Sequence, residues 1–290
     1  MAQPLTVPAV RDRKVAEGSE PLVMVTAYDA PCARIAEAAG VDLILVGDSV
    51  AMVVLGYDDT LRVTVDDMVH HVGAVARGLA TPSRGEASER PKALVVADMP
   101  WLSYHLGPRD AVRNAAALVR AGAQAVKLEG GRKRIPVIEA IVDAEIPVMG
   151  HIGLTPQSLH AMGGFKVQGR RAEAARVMVD EAKALAEAGC FSIVVEGVPE
   201  PVAALVTDAV PVPTIGIGAG PRCDGQVLVF HDLLGLEDRA PARFVRRYAD
   251  LRTVAVAAVA SYARDVRAGR FPTNDESYRL SDEEAQLLGL

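Results

Sequence analysis

The sequence predicts an α/β fold of the (β/α)8 barrel type. Apolar runs of four to six residues alternate with Ala-rich amphipathic segments, the pattern of strand and helix in a parallel sheet. Polar residues follow several of these runs, and a closed barrel brings such strand ends together on one face, whereas an open sheet spreads them apart. The chain has 290 residues, enough for one barrel of about 250 residues.

The predicted strands are seven clear apolar runs and a weaker eighth. They are residues 22–25, 43–46, 93–97, 125–128, 146–149, 192–195 and 214–217, followed by 227–231. Composition and length favour helix between them, as in 31–39, 108–121 and 171–188. We therefore expect a single domain over 1–290, with a barrel core over 20–235, a helical segment over 236–270 and a polar tail over 271–290.

An Ala-Gly pair ends three of the predicted helices and introduces three of the strands. Glycine suits this position because it adopts the left-handed conformation that closes a helix. The pairs are Ala39-Gly40, Ala121-Gly122 and Ala188-Gly189, and the acids after the corresponding strands are Asp48, Glu129 and Glu196. Two further strands end in Asp98 and in Gly150-His151. We expect these five polar side chains to converge at the carboxyl ends of the strands.

Four segments outside the regular pattern invite an interpretation. Residues 81–91 carry Pro, Gly, Ser and charge and predict a surface insertion, whereas the long Gly-rich segment 153–170 is either an active-site lid or a plain connecting loop. Residues 216–220 (GIGAG) resemble a phosphate cradle, although we favour a tight turn. The arginines at 243, 246 and 247 indicate a solvated helix face or a subunit contact.

The strand-end acids favour a hard divalent metal. Asp48, Asp98 and Glu129 offer oxygen ligands, which suit Mg²⁺, an ion that keeps some waters and binds one or two carboxylates directly. Such a metal chelates a 2-oxo acid and stabilises the enolate that forms when the neighbouring carbon loses a proton. Asp48 alone could equally cap the following helix.

Three more residues are candidates for the chemistry around this metal. Glu196 lies on a separate strand and is the candidate general base, with a helix cap or an ion pair as the alternative. Lys127 points to the same side as Glu129 and either meets a substrate anion or forms a salt bridge with Glu129. His151 either donates a hydrogen bond to the substrate or is a satisfied core residue.

Composition and charge exclude several classes of protein. The formal net charge of −6 leaves no basic surplus for a phosphate backbone, so nucleic acid is not an expected partner. Three scattered cysteines show no zinc spacing and indicate reduced packing residues. The first twenty residues lack a signal-peptide core, and the longest near-continuous apolar stretch, 253–262, is too short to span a membrane. We expect a cytoplasmic protein without a membrane partner.

Around these residues the sequence closely resembles the ketopantoate hydroxymethyltransferase family. The resemblance runs from about residue 8 to about residue 272. Departures are Tyr57 and Arg62, where some members have His and Pro, the length of 81–91, and the tail after Thr273, which does not align. The motifs that carry it are 25–29 (VTAYD), 46–49 (VGDS), 64–65 (TV), 97–100 (ADMP), 126–131 (VKLEGG), 150–158 (GHIGLTPQS), 163–170 (GGFKVQGR), 195–196 (VE), 216–220 (GIGAG) and 224–226 (DGQ).

The resemblance implies a barrel of the phosphoenolpyruvate/pyruvate group that uses one Mg²⁺ per subunit and 5,10-methylenetetrahydrofolate as co-substrate. It implies transfer of a hydroxymethyl group to 2-oxoisovalerate (3-methyl-2-oxobutanoate), giving ketopantoate for pantothenate and coenzyme A biosynthesis. By the same resemblance, Asp48 and Asp98 bind the metal, Glu129 completes its surroundings, and Glu196 is the base. Ser49, Lys127 and His151 would contact the 2-oxo acid, as would the metal ligands Asp48 and Asp98 through the metal. The family assembles as decamers, so a homo-oligomer is expected.

Two other functions remain open from the sequence. A Mg²⁺-dependent carbon–carbon lyase or mutase acting on another 2-oxo acid would share the strand-end metal, but it typically uses a reactive Cys in a mobile loop, and 153–170 contains none. A catalytically idle barrel would show a gap among the candidate residues, and none is present.

Overall fold

Eight parallel strands close into a barrel in the computed structural model of the chain, which describes residues 5–80 and 93–290. Each strand pairs with its sequence neighbours, and the last pairs with the first. This confirms the predicted (β/α)8 barrel. The strands are β1 (Leu22–Thr26), β2 (Leu43–Val46), β3 (Leu94–Asp98), β4 (Ala125–Lys127), β5 (Val148–Gly153), β6 (Ser192–Glu196), β7 (Thr214–Ile217) and β8 (Gly225–Leu228).

Helices surround the barrel and follow most strands. They are α1 (Val7–Arg11), α2 (Ala30–Ala38), α3 (Val50–Val53), α4 (Val65–Ala80), α5 (Pro108–Ala121), α6 (Ile135–Asp143), α7 (Leu159–Met162), α8 (Ala172–Glu187), α9 (Glu200–Ala209), α10 (Phe230–Leu234), α11 (Leu251–Arg267) and α12 (Asp282–Leu288). Short 3₁₀ turns cover Val15–Glu17, Arg132–Arg134 and Pro156–Ser158. The predicted surface insertion over 81–91 lies outside the described residues.

Most of the strands are buried on both faces, which is why they are continuous apolar runs. Inward side chains such as Leu43, Leu94 and Ile215 form one cluster inside the barrel. Outward side chains such as Ile44 and Val95 pack against the helices in a second cluster. Because most strands face apolar groups on both sides, their buried charged residues lie at or near the strand ends.

The predicted glycine helix ends are confirmed. Gly40, Gly122 and Gly189 have φ of 74°, 122° and 96°, which favour glycine over residues with a Cβ. At Gly122 an added Cβ would collide with Ala76 of α4, so this glycine also permits close packing of neighbouring helices.

The N-terminal segment closes the amino-terminal end of the barrel. Val10 of α1 is fully buried and joins the apolar cluster of the barrel interior. Just beyond it, Lys14 reaches Asp224 at the start of β8, with 2.8 Å between Nζ and Oδ2. Residues 5–14 therefore contribute buried side chains to this end of the barrel.

Two strands differ from the sequence prediction by more than one residue, for reasons of pairing. β5 runs from Val148 to Gly153 instead of ending at 149, because Gly150–Gly153 pair with Ile193–Glu196 of β6. His151 is therefore inside a strand. β8 covers Gly225–Leu228 instead of 227–231, and the backbone N–H of Phe230 already donates to Thr26 Oγ1 as α10 begins.

The C-terminal region also differs from the predicted helical segment and polar tail. Helix occupies only Leu251–Arg267 of 236–270, because Pro241 lacks a backbone donor and Asp250 caps a new helix by accepting from Thr253 N. The arginines at 243, 246 and 247 precede this helix, so a helix face was the wrong interpretation. The tail contains α12, whose cap Ser281 accepts from Glu284 N.

Candidate active site

The carboxyl ends of β3 to β6 carry a layer of polar side chains above the apolar barrel interior. Alternation places Asp98 two residues after the inward Val96, Lys127 two after Ala125 and His151 two after Met149. All three are buried. The structure thus brings the sequence-predicted residues together at the face where barrel enzymes bind substrate.

Asp98 links its two neighbours in this layer. Its Oδ1 lies 2.7 Å from Lys127 Nζ, and its Oδ2 accepts from the backbone N–H of Asp48 at 3.0 Å. Asp98 and Lys127 are register partners on adjacent strands, which brings their side chains together. The alternative salt bridge between Lys127 and Glu129 was therefore wrong, since the lysine pairs with Asp98.

His151 joins the two glutamates. Its Nδ1 lies 3.4 Å from Glu129 Oε1, and its Nε2 lies 3.3 Å from Glu196 Oε2. Burial and the nearby Lys127, with Nζ 3.3 Å from Nδ1, oppose a charged imidazole. Hydrogen bonds to the two carboxylates, together with the negative charge of Glu129, nevertheless raise the pKa of His151 to about 9. The side chain of Glu196 is 16% exposed, whereas Glu129 is almost completely buried.

The site holds more negative charge than its own cations neutralise. Burial, and then the charges of Asp98 and Glu129, raise the pKa of Asp48 well above its ordinary value. Burial also raises the pKa of Asp98, although Lys127 opposes this shift. Burial alone would raise the pKa of Glu129, but the hydrogen bond to His151, the positive charges of His151 and Lys127 and the backbone N–H of Gln157 together lower it. A cation placed against Asp48 and Asp98 would relieve their repulsion.

The oxygen donors fit a hard divalent cation bound by few protein ligands. Among the residues that the structure describes, no group of three or more His, Cys, Asp or Glu side chains is placed to hold a metal ion. Oε1 of Glu129 faces His151 Nδ1, and Oε2 of Glu129 accepts a hydrogen bond from the backbone N–H of Gln157 at 3.0 Å. Asp48 and Asp98 are adjacent carboxylates that could hold such a cation, and Glu129 lies close enough to influence both.

Sequence reasoning missed three neutral residues that hold the site together. Gln157 donates from Nε2 to Asp48 Oδ2 at 2.8 Å, and Tyr104 donates to Gln157 Oε1 at 2.6 Å. The hydroxyl of Tyr28 lies 2.8 Å from Ser49 Oγ, beside Asp48. Gln157 and Tyr28 lie within the motifs that resemble the family, which was a usable signal, whereas Tyr104 carried none.

The Gly-rich segments flank this site. Residues 153–170 leave β5 next to His151 and form the turn Pro156–Ser158 and the short helix α7, and Phe165 is half exposed. Residues 216–220 form a tight turn, as favoured from the sequence: Gly218 and Gly220 have φ of 61° and 79°. An added Cβ at Gly218 would meet the ring of Phe244, so the turn packs against the chain itself.

Comparison with known proteins gives the same result as the motifs. Residues 5–274 match the family model of ketopantoate hydroxymethyltransferase. The chain belongs to the ketopantoate hydroxymethyltransferase family. It is 57% identical to a 3-methyl-2-oxobutanoate hydroxymethyltransferase of Methylobacterium sp. (strain 4-46), over 92% of this chain and 88% of the relative. The same named enzyme of Pyrobaculum calidifontis is 56% identical, over 91% of this chain and 95% of the relative.

Solved structures show the same barrel. Phosphonopyruvate hydrolase is similar with a TM-score of 0.59 and 15% identity, over 98% of this chain and 95% of that chain. 2,3-Dimethylmalate lyase, of the PEP mutase/isocitrate lyase superfamily, gives a TM-score of 0.54 and 16% identity, over 98% and 95%. At these identities the likenesses show the fold alone, and that fold is the predicted barrel.

This family member is an enzyme, a hydroxymethyltransferase, and its relatives support formation of ketopantoate as its reaction. No helix in 5–80 or 93–290 combines the length and apolar character needed to cross a membrane.

Proposed function

We propose that the enzyme transfers the one-carbon unit of 5,10-methylenetetrahydrofolate to 2-oxoisovalerate in a Mg²⁺-assisted reaction that gives ketopantoate. The observation that carries this proposal is the buried pair Asp48 and Asp98 beside Lys127, at the barrel face that also holds Glu196. Family membership supports the product, and the arrangement of charges supports the route to it.

Asp48 and Asp98 would hold the Mg²⁺, and Glu129 would complete its surroundings. The oxygen-only donors and the raised pKa values of the two aspartates fit a divalent cation. When bound, Mg²⁺ supplies Lewis-acid stabilisation of the negative charge that develops as a 2-oxo acid enolises. Phosphonopyruvate hydrolase, whose structure in complex with oxalate and Mg²⁺ is similar to this chain with a TM-score of 0.58, supports the choice of metal.

Glu196 removes the proton from C3 of 2-oxoisovalerate in this proposal. Its carboxylate keeps some exposure, so a substrate can reach it, and the contact with His151 orients it. The pair of electrons freed at C3 forms a bond to the methylene carbon of the folate, and one carbon–nitrogen bond breaks with its electrons going to nitrogen. Water then displaces the second nitrogen and supplies the hydroxyl of the hydroxymethyl group. The proton from C3 and one from water end on the two nitrogens of the released tetrahydrofolate. Lys127, Ser49 and His151 would contact the carboxylate and oxo groups of the substrate.

The test is a reaction in D₂O followed by NMR. The protein is incubated with 2-oxoisovalerate, 5,10-methylenetetrahydrofolate and Mg²⁺, with EDTA as the control. We expect ketopantoate only with metal. Exchange at C3 without ketopantoate would keep the enolate chemistry but reject the folate donor, and neither signal would reject the proposal.

Glu196→Gln separates proton removal from binding. We expect the variant to retain binding of 2-oxoisovalerate and to lose C3 exchange by about 10²-fold or more, the range of a general base. Glu200→Gln is the matched control, because Glu200 is exposed at the start of α9. Unchanged exchange in Glu196→Gln would remove this residue from the role of base.

We also propose that a second copy of the chain covers α11. None of the seventeen residues of this helix is buried, and Val254, Val259 and Tyr262 are more than half exposed. The described connection from β7 to β8 contains no helix, and Val23 on β1 is 49% exposed, so the helical layer is open beside these strands. The exposed apolar side chains of α11 from one copy could therefore pack against the uncovered strand face of another copy.

The oligomeric state tests this surface. Light scattering after size exclusion should give an oligomer for the native chain and a smaller species for the double variant Val254→Asp/Val259→Asp. Arg264→Asp, on the same exposed helix, is the control for an added acid. A monomeric native chain would refute the proposal.

A further inference from the structure

Gln157 connects three parts of the candidate active site. It lies at the start of segment 153–170 and is buried. Its side-chain Nε2 donates to Asp48 Oδ2 at 2.8 Å and to Met99 O at 3.0 Å, and its backbone N–H donates to Glu129 Oε2 at 3.0 Å. One neutral residue therefore contacts a proposed metal ligand directly and fixes a second acid through the main chain.

The orientation of this amide is determined by its partners. Met99 O is a carbonyl and only accepts, so the NH₂ group must face it and Asp48. On the other side, the hydroxyl of Tyr104 accepts from Glu129 N at 3.1 Å and donates its own hydrogen to Gln157 Oε1 at 2.6 Å. Both partners select the same orientation of the amide.

Tyr104 is itself held rigidly. Its ring is fully buried and lies beside the ring of His105, with 4.2 Å between ring centroids and a tilt of 35°. The guanidinium of Arg134 lies over the Tyr104 ring, 5.5 Å from its centroid. Removing the hydroxyl leaves this ring packing in place, so Tyr104→Phe alters the hydrogen bond without opening a large cavity.

We propose that Gln157 positions Asp48 for the metal and that Tyr104 acts through Gln157. The amide holds Oδ2 of Asp48, which fixes the rotation of the carboxylate and the direction in which its remaining acceptor sites point. Mutation of a residue that orients a metal ligand in this way commonly lowers metal affinity by about 10- to 100-fold. This inference rests on the proposed Mg²⁺ site at Asp48 and Asp98.

The experiment measures metal binding without turnover. Mn²⁺, a hard divalent ion with a spectroscopic signal, is titrated into the full-length protein, and free Mn²⁺ is followed by electron paramagnetic resonance. We expect Gln157→Met to raise the Kd for Mn²⁺ by about 10- to 100-fold. Tyr104→Phe should raise it in the same direction by a smaller factor.

The double variant Gln157→Met/Tyr104→Phe distinguishes positioning from general damage. If Tyr104 acts through Gln157, the double variant binds Mn²⁺ no more weakly than Gln157→Met alone. Independent structural effects would multiply instead, and that result would overturn the role of Tyr104. Tyr104→Phe keeps the ring, so it reports on the hydrogen bond even if Gln157→Met folds poorly.

Two matched controls lie nearby. Gln168→Met changes another glutamine of segment 153–170, whose Nε2 donates to Lys166 O, and Ser103→Ala removes a buried hydroxyl that donates to Pro100 O. Both should bind Mn²⁺ like the native enzyme. Native affinity in Gln157→Met would overturn the inference and leave the proposed function standing, whereas failure of the native enzyme to bind Mn²⁺ would refute the metal site itself.

Discussion

Breaking the buried ion pair at the amino-terminal end of the barrel should destabilise the enzyme without altering its chemistry. Lys14 and Asp224 are 8% and 1% exposed in their side chains, and Asp224 also accepts from the backbone N–H groups of Val15 and Thr214, each at 2.9 Å. Lys14→Met would leave this carboxylate buried without its cation. Loss of one partner of a buried pair costs about 3–5 kcal/mol in the free energy of unfolding.

The assay is urea unfolding at pH 7 and at one fixed protein concentration. Arg11→Met is the control, because the pair of Arg11 with Asp12 is exposed and contributes at most about 1 kcal/mol. The double variant Lys14→Met/Asp224→Asn should lose about 2 kcal/mol less free energy of unfolding than the sum of the losses in the two single variants. The reason is that neither charge is then left unpaired. Additive losses, or a cost below about 1 kcal/mol for Lys14→Met, would refute the reasoning. Activity of the folded variants should be unchanged, because the proposed site lies at the opposite end.

Two further predictions concern the thiols and the helix layer. Burial raises the pKa of Cys32 and Cys190 to about 12. Ellman's reagent at pH 8 should therefore react slowly with the native enzyme and rapidly with all three thiols after unfolding in urea. A fast reaction of the native enzyme would contradict this prediction. Gly78→Ala should lower the free energy of unfolding by about 1–3 kcal/mol, because its Cβ would lie 2.7 Å from Cα of Ala30 in the neighbouring helix. Gly73→Ala is the control in thermal melts, since its Cβ would meet only the movable end of a side chain at 3.0 Å, and equal melting temperatures would refute the clash.

The barrel could be predicted from the sequence because its signal is local. The runs 43–46 and 214–217 and the helix over 108–121 have the predicted bounds, since an apolar run or an amphipathic period ends where the element ends. The extension of β5 to Gly153 could not be predicted in this way. It depends on pairing with β6, a contact between segments about forty residues apart in sequence.

The site was predictable in its charges but not in its connections. Charged groups at the ends of buried strands are conspicuous in a sequence because burying an unpaired charge costs free energy. That cost marked Asp98, Lys127 and Glu196 as candidates for function. Neutral partners are not conspicuous: Gln157 and Tyr104 resemble ordinary loop residues until the fold places them against Asp48 and Glu129. Which acid pairs with Lys127 likewise depended on strand register.

One missed element did have a local signal. Ser281 is followed three residues later by Glu284, the spacing of a helix start, and the structure has α12 at that place. The helix was missed because the tail is polar and shows no apolar stripe. An exposed helix such as α12 needs no such stripe, so the cap was the only local signal.

The pairing of β1 with β8 also determines when the protein can fold during its synthesis. On the edge of β1 that faces away from β2, Leu22–Val25 pair with Gly225–Leu228, and Lys14 meets Asp224 across 210 positions of sequence. A nascent chain on the ribosome therefore carries two open strand edges until most of its length has been made. Closure is a late, chain-wide event, and fragments that stop before residue 225 should depend on chaperones or aggregate rather than accumulate as partial barrels.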